Sequence, residues 1–135
     1  MTFETHKFPI IIREHLLDTF GHVNNAAYLE IFEEARWEMI SSRGFSLKEI
    51  MEKGQGPVIL EINIKFMKEL KLRESLVIET VVTEYSGKVG NIRQLIKRGD
   101  EVCCEMNCKA AFFDTRARKI ILPTEEWMHA IGAHS

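Results

Sequence analysis

The stretch that decides the fold is Asp18-Thr19-Phe20-Gly21-His22-Val23-Asn24-Asn25-Ala26-Ala27-Tyr28, which runs on into residues 29–43. Residues 26–43 contain neither glycine nor proline, so a helix of about five turns fits there. At about 100° per residue, Tyr28, Ile31, Phe32, Ala35 and Met39 share a stripe roughly 100° wide. Leu29 and Ile40 widen one flank of it, and Glu30, Glu34 and Ser41 lie opposite. Such a helix needs cover over more than half its circumference. Ahead of it stands a polar cluster, Asp18, His22, Asn24 and Asn25, with Gly21 permitting a tight turn. Asn24 or Asn25 suits the N-cap, leaving backbone N–H groups beyond the cap free to meet an anion or a polarised carbonyl. A carboxylate a few residues before a helix N-terminus is a hydrolytic constellation in outline.

Before this stretch, Phe8, Ile10 and Ile12 alternate within residues 6–17 and predict a first strand, with Pro9 at an edge or a strand start. After it, Gly44 is placed to end the helix as a C′ glycine. Ser46-Leu47-Lys48-Glu49 has the form of a capping box and opens a short helix over 47–53. The run Gly54-Gln55-Gly56-Pro57 then breaks the chain.

Four further strands follow. Val58, Leu60, Ile62, Ile64 and Phe66 alternate as one face. Residues 76–85 set Leu76, Ile78, Thr80 and Val82 against Val77, Glu79, Val81 and Thr83. Ser86-Gly87-Lys88 turns into 89–98, and Gly99-Asp100 turns into 102–113. Residues 114–119 form a basic turn, 120–123 are extended, and 124–131 close as a short helix. Alternation with one apolar face suits an antiparallel sheet rather than a parallel βαβ array. The expectation is a single α+β domain over 1–135, with about five antiparallel strands wrapped round one long helix.

Composition sets the class. With 45% hydrophobic and 28% charged residues the chain reads as an ordinary globular domain. A net charge of −2 gives no basis for general binding to nucleic acid or an acidic membrane. No apolar run approaches the roughly 20 residues of a membrane span. The first residues lack the charged-then-apolar pattern of a secretory signal, so a cytoplasmic location is expected. Cys103, Cys104 and Cys108 are odd in number and lack paired Cys-x-x-Cys spacing, so they read as small buried residues, not as a disulfide framework or a metal site.

The motif Asp18-x-x-Gly21-His22-Val23-Asn24-Asn25-x-x-Tyr28, followed by a helix carrying Glu33-Glu34-Ala35-Arg36, resembles the hotdog-fold acyl-CoA thioesterases of the 4-hydroxybenzoyl-CoA thioesterase group. Its His-Val-Asn-Asn element is also similar to that of the plant acyl-carrier-protein thioesterases. The likeness in element order covers roughly residues 5–122. It implies hydrolysis of an acyl-CoA or acyl-carrier-protein thioester without metal or cofactor. It further implies Asp18 as nucleophile or general base and a backbone N–H near Asn25 as the oxyanion donor. The site would lie between two subunits of a homodimer, with tetramers common. Asn24-Asn25 stand where many relatives place a His or Tyr. The downstream cysteine assigned in the plant enzymes has no counterpart here by spacing.

Each candidate has an ordinary reading beside the functional one. Asp18 also suits a turn residue that bonds nearby N–H groups. Asn24 and Asn25 brace and cap, and His22 either braces the loop or touches substrate. Tyr28 lies on the apolar stripe, with its hydroxyl available to a dimer seam or a substrate. Glu33 beside Arg36 suits a surface ion pair, and both Glu33 and Glu34 rank below Asp18. Lys88, Arg116 and Arg118, with Lys119, are candidates for coenzyme A phosphates, since Arg forks and Lys point charges suit that task. Phe32, Met39, Ile62 and Phe66 are candidates to line an acyl pocket. The rival function is a non-catalytic acyl-CoA-binding protein on the same fold. A hotdog dehydratase is disfavoured, because its His in a Pro-rich loop ahead of the helix is missing here.

Overall fold

The structure, a computed structural model, describes residues 1–134. In chain order the elements are β1 (Thr2–Phe3), β2 (His6–Ile11), a 3₁₀ turn (Glu14–Leu16), α1 (Asn25–Ser42), α2 (Leu47–Lys53), β3 (Gln55–Phe66), β4 (Ser75–Ser86), β5 (Val89–Arg98), β6 (Glu101–Asp114), β7 (Lys119–Ile121), α3 (Glu125–Ala130) and β8 (Ala133–His134). The main sheet is antiparallel in the order β2-β4-β5-β6-β3, with β7 also pairing β6; β1 and β8 form a separate two-stranded ribbon. The α+β expectation therefore holds, but the main sheet has six strands rather than about five. Strands of two and three residues are too short to display an alternation. The first strand also stops at Ile11, not near residue 17, because the chain leaves the sheet for the 3₁₀ turn. No helix among the described residues is long and apolar enough to cross a membrane.

Helix α1 lies across one face of the sheet. Its predicted stripe is the buried one: Tyr28, Ile31, Phe32, Ala35 and Met39 are all 6% exposed or less, and Ala27 and Ile40 join them. Burying side chains the size of Phe32 or Met39 stabilises the fold by about 1.5–3 kcal/mol each. Leu29 departs from the expectation and is 41% exposed, on the flank that the sheet does not cover. The helix ends in a Schellman motif. Phe45 N–H donates to Ile40 O (2.9 Å) and Gly44 N–H to Ser41 O (3.1 Å), with Gly44 at φ +87°. The capping box at Ser46 and Glu49 also forms.

Three aromatic contacts orient α1. At its start, Tyr28 meets Phe66 edge-on at 4.8 Å. Beyond its end, Phe45 packs against Phe112 and Trp127 at 6.0 and 5.3 Å. Phe66 closes β3, whereas Phe112 pairs with Pro57 near its opening. Helix and strand therefore run antiparallel, and the two ends of the domain are roughly 27 Å apart along the 18-residue helix.

Strand β3 does not alternate as expected. A bulge between Ile59 and Glu61 resets its phase. Before the bulge Ile59 pairs with Ala110; after it Ile62, Ile64 and Phe66 pair with Cys108, Met106 and Cys104. These partners are buried beneath α1. The helix-facing set is thus Ile59, Ile62, Ile64 and Phe66, and Leu60 sits in the bulge. Nor is this face buried: Ile59, Ile62 and Phe66 are 38, 41 and 50% exposed, since α1 stops short of the edge strand.

Candidate active site

The Asp18 loop is closed by its own backbone. Leu17 and Val23 form a bridge, Asp18 N–H donates to His22 O (2.8 Å), and Gly21 N–H donates to Asp18 O (3.1 Å). Gly21 takes φ +79°, a left-handed conformation that glycine adopts without strain. Oδ1 of Asp18 accepts the N–H groups of Phe20 (2.9 Å) and His22 (3.0 Å), which is the turn role that Asp commonly plays. Oδ2 accepts no hydrogen bond within the described residues. The side chain is exposed. The N–H of His22, then that of Phe20, hold its carboxyl below the usual Asp range, so it is ionised at neutral pH. One residue thus serves both readings: one oxygen builds the loop and the other faces solvent.

Asn24 rather than Asn25 is the N-cap. Its Oδ1 accepts Ala26 N–H at 2.8 Å, and its carbonyl accepts Ala27 and Tyr28 N–H at 2.9 and 3.4 Å. That leaves Asn25 N–H as the first-turn donor with no partner among the described residues, at the positive end of the helix dipole. A free N–H there and an ionised carboxylate in the adjoining loop are the two parts that acyl transfer requires.

The remaining candidates fall into two groups. His22 contributes backbone to the loop, while its exposed ring lies 3.8 Å from Glu69. Tyr28 is 6% exposed and packs into the core. Lys88 sits in the β4–β5 turn, and Arg116 and Arg118 in the β6–β7 turn, with Arg118 over the ring of Phe113 at 5.7 Å. Both turns lie at the Phe112 end of the sheet, so a single chain does not bring them to Asp18. Of the proposed pocket residues, Phe32 and Met39 are buried, whereas Ile62 and Phe66 are half exposed. The three cysteines are buried and free. Burial pushes the Cys104 thiol up to about 12, away from nucleophilic use at neutral pH.

One arrangement was not anticipated. Glu33 and Arg36 form no ion pair. Arg36 instead donates through an η nitrogen to Gln94 Oε1 at 2.8 Å, and Gln94 Nε2 donates to Phe32 O and Thr80 Oγ1, both at 2.9 Å. Thr80 and Gln94 are fully buried polar residues on the helix-facing side of the sheet. The sequence signal was a polar residue at the centre of each apolar run, Ile78-x-Thr80-x-Val82 and Ile92-x-Gln94-x-Ile96. Arg36 borders a cavity of about 120 Å³ together with Glu33, Trp37, Ile59 and Trp127.

The chain is 34% identical over 87 residues to the long-chain acyl-CoA thioesterase FadM of Escherichia coli, covering 64% of this chain and 65% of that protein. It is 26% identical to the acyl-acyl carrier protein thioesterase ATL3 of Arabidopsis thaliana, over 90% of this chain and 65% of that one. The match thus spans somewhat under two-thirds of the length of these curated relatives. The hypothetical protein SAV2348 of Staphylococcus aureus, solved in complex with CoA, shares the fold with a TM-score of 0.86 at 18% identity, over 97% of this chain and 84% of that one. A family model, the thioesterase-like superfamily, matches residues 12–131 from the 3₁₀ turn to the end of α3, and the chain belongs to that family.

Proposed function

We propose that this protein hydrolyses the thioester of an acyl-CoA or an acyl-carrier-protein substrate. The observation that carries the reading is the pairing, in one loop and helix start, of the ionised Asp18 carboxylate with the unpartnered Asn25 N–H. Asp18 acts as nucleophile or general base, through an oxygen left free by the turn. Asn25 N–H receives the charge that develops on the carbonyl oxygen. Asn24 holds the helix start in place, and the backbone of His22 sets the angle of Asp18. The relatives bear names of the same chemistry, long-chain acyl-CoA for one and acyl-carrier protein for another.

The working form in this reading is a dimer. Strand β3 is a 12-residue edge with its helix-facing apolar residues uncovered, the kind of surface that a second copy closes. A two-fold antiparallel pairing along β3 sets the Gln55 end of one copy beside the Phe66 end of the other. The second copy's Arg116 and Arg118, and more distantly its Lys88, then approach the first copy's Asp18 loop. That supplies the phosphate contacts which a single chain does not.

The test is thiol release from purified protein across short, medium, long and aromatic acyl-CoA thioesters and their carrier-protein counterparts. Turnover that vanishes in Asp18→Asn while acyl-CoA still binds supports the reading. Binding without hydrolysis of any thioester would make the protein a sensor instead.

A further inference from the structure

The cavity beneath α1 holds two opposite charges that do not pair with each other. Arg36 and Glu33 both line it, and no contact within 4.0 Å joins their charged groups. The guanidinium is half-buried and held by Gln94, which is itself held by Thr80 and the carbonyl of Phe32. Burying Gln94 and Thr80 carries a desolvation cost, offset only because each finds a partner. What they achieve is a fixed direction for one arginine, which retains four of its five N–H donors. Glu33 is exposed at the same rim and accepts no hydrogen bond within the described residues. The rest of the wall is apolar or aromatic, including Trp37, Ile59, Ile92 and Trp127.

Resting on the proposed thioester hydrolysis, we infer that this cavity receives the hydroxyl of a hydroxylated aliphatic acyl chain, which accepts from Arg36 and donates to Glu33. A carboxylate fits less well, because Glu33 repels it. A plain methyl terminus offers nothing to Glu33 or to the remaining N–H donors of Arg36. The distance also selects among hydroxyl-bearing acyl groups. Glu33 and Arg36 lie 8 and 11 residues beyond Asn25, or roughly 12–16 Å along the helix. An extended chain advances on the order of 1.2 Å per bond, which puts the hydroxyl roughly 10–13 carbons from the thioester. A hydroxyl on an aromatic ring bonded directly to the carbonyl does not reach.

The experiment compares kcat/KM for mid-chain hydroxyacyl-CoA thioesters with unsubstituted acyl-CoA of the same length. A site that hydrogen-bonds a hydroxyl discriminates strongly against the analogue lacking it, and at this partly open cavity a preference of at least about tenfold is expected. Arg36→Leu and, separately, Glu33→Leu should each bring the ratio close to one. Glu33 is exposed and bonds nothing, so its variant stays informative if Arg36→Leu fails to fold. Equal rates for the two wild-type substrates would overturn the inference and leave the hydrolase reading standing, whereas no turnover of either would remove that reading. An unchanged ratio in both variants, with loss of the dimer on size-exclusion chromatography, would show that the charges serve a subunit contact and would likewise overturn it.

Discussion

Replacing Asp18 by Asn removes charge and little else. Oδ1 of Asp18 accepts two backbone N–H groups at 2.9 and 3.0 Å, and the amide oxygen of Asn presents the same acceptor in the same place. The loop closed by Leu17, Val23 and the His22 carbonyl stays intact, so the melting temperature should hold within about 3 °C. The variant loses the capacity to attack a carbonyl or to take a proton from water. Such groups contribute roughly 10²–10⁴ in rate, and kcat should fall by about that factor. The acid limb of the pH profile follows from the same bonds. They lower the folded pKa of Asp18, so activity persists as pH falls through the ordinary Asp range and is lost only below it. The stabilisation from these bonds is present above the unfolded pKa and disappears as pH drops through the lowered folded value. Wild type and variant should be compared by thiol release, with binding of a non-hydrolysable acyl-CoA analogue and a thermal melt as controls. A folded variant retaining a rate within about threefold of wild type would refute the role assigned to Asp18.

Three further outcomes test other parts of the structure. Gln94→Leu removes the partner of the Arg36 guanidinium and of the buried Thr80 hydroxyl, and should cost about 1–3 kcal/mol in denaturant unfolding; a loss below about 0.5 kcal/mol would show the network to be unimportant. Ile62→Glu puts a charge on the uncovered face of β3, where it is 41% exposed, so the single chain should fold while light scattering reports a monomer and hydrolysis drops sharply. An intact, active dimer would place the subunit contact elsewhere. The cysteines should be inert to a disulfide thiol reagent in the native state, with all three reacting after denaturation; a fast native thiol would contradict their burial.

The long helix, its buried stripe, its glycine-marked end and the succession of strands along the chain were legible in the sequence, because each rests on local periodicity or on a cap a few residues wide. The turn role of Asp18 was legible for the same reason, whereas either asparagine suited the N-cap by sequence, and only the structure assigns it to Asn24 and leaves Asn25 N–H without a partner among the described residues. Tertiary contacts decided the rest. A single bulged residue near Leu60 reverses which side of β3 faces the helix, and no alternation count registers it when Val58, Ile59, Leu60 and Ile62 are all apolar. Arg36 looked like half of a surface ion pair with Glu33, since residues three apart on a helix are neighbours. Only the packing of α1 over the sheet brings Gln94, 58 residues away, within 2.8 Å of it. The placing of the basic turns at the far end of the sheet from Asp18 is equally non-local. Sequence determined what each segment is, through interactions a few residues apart; the tertiary structure determined which segments meet, because those energies arise between residues that the chain does not bring together on its own.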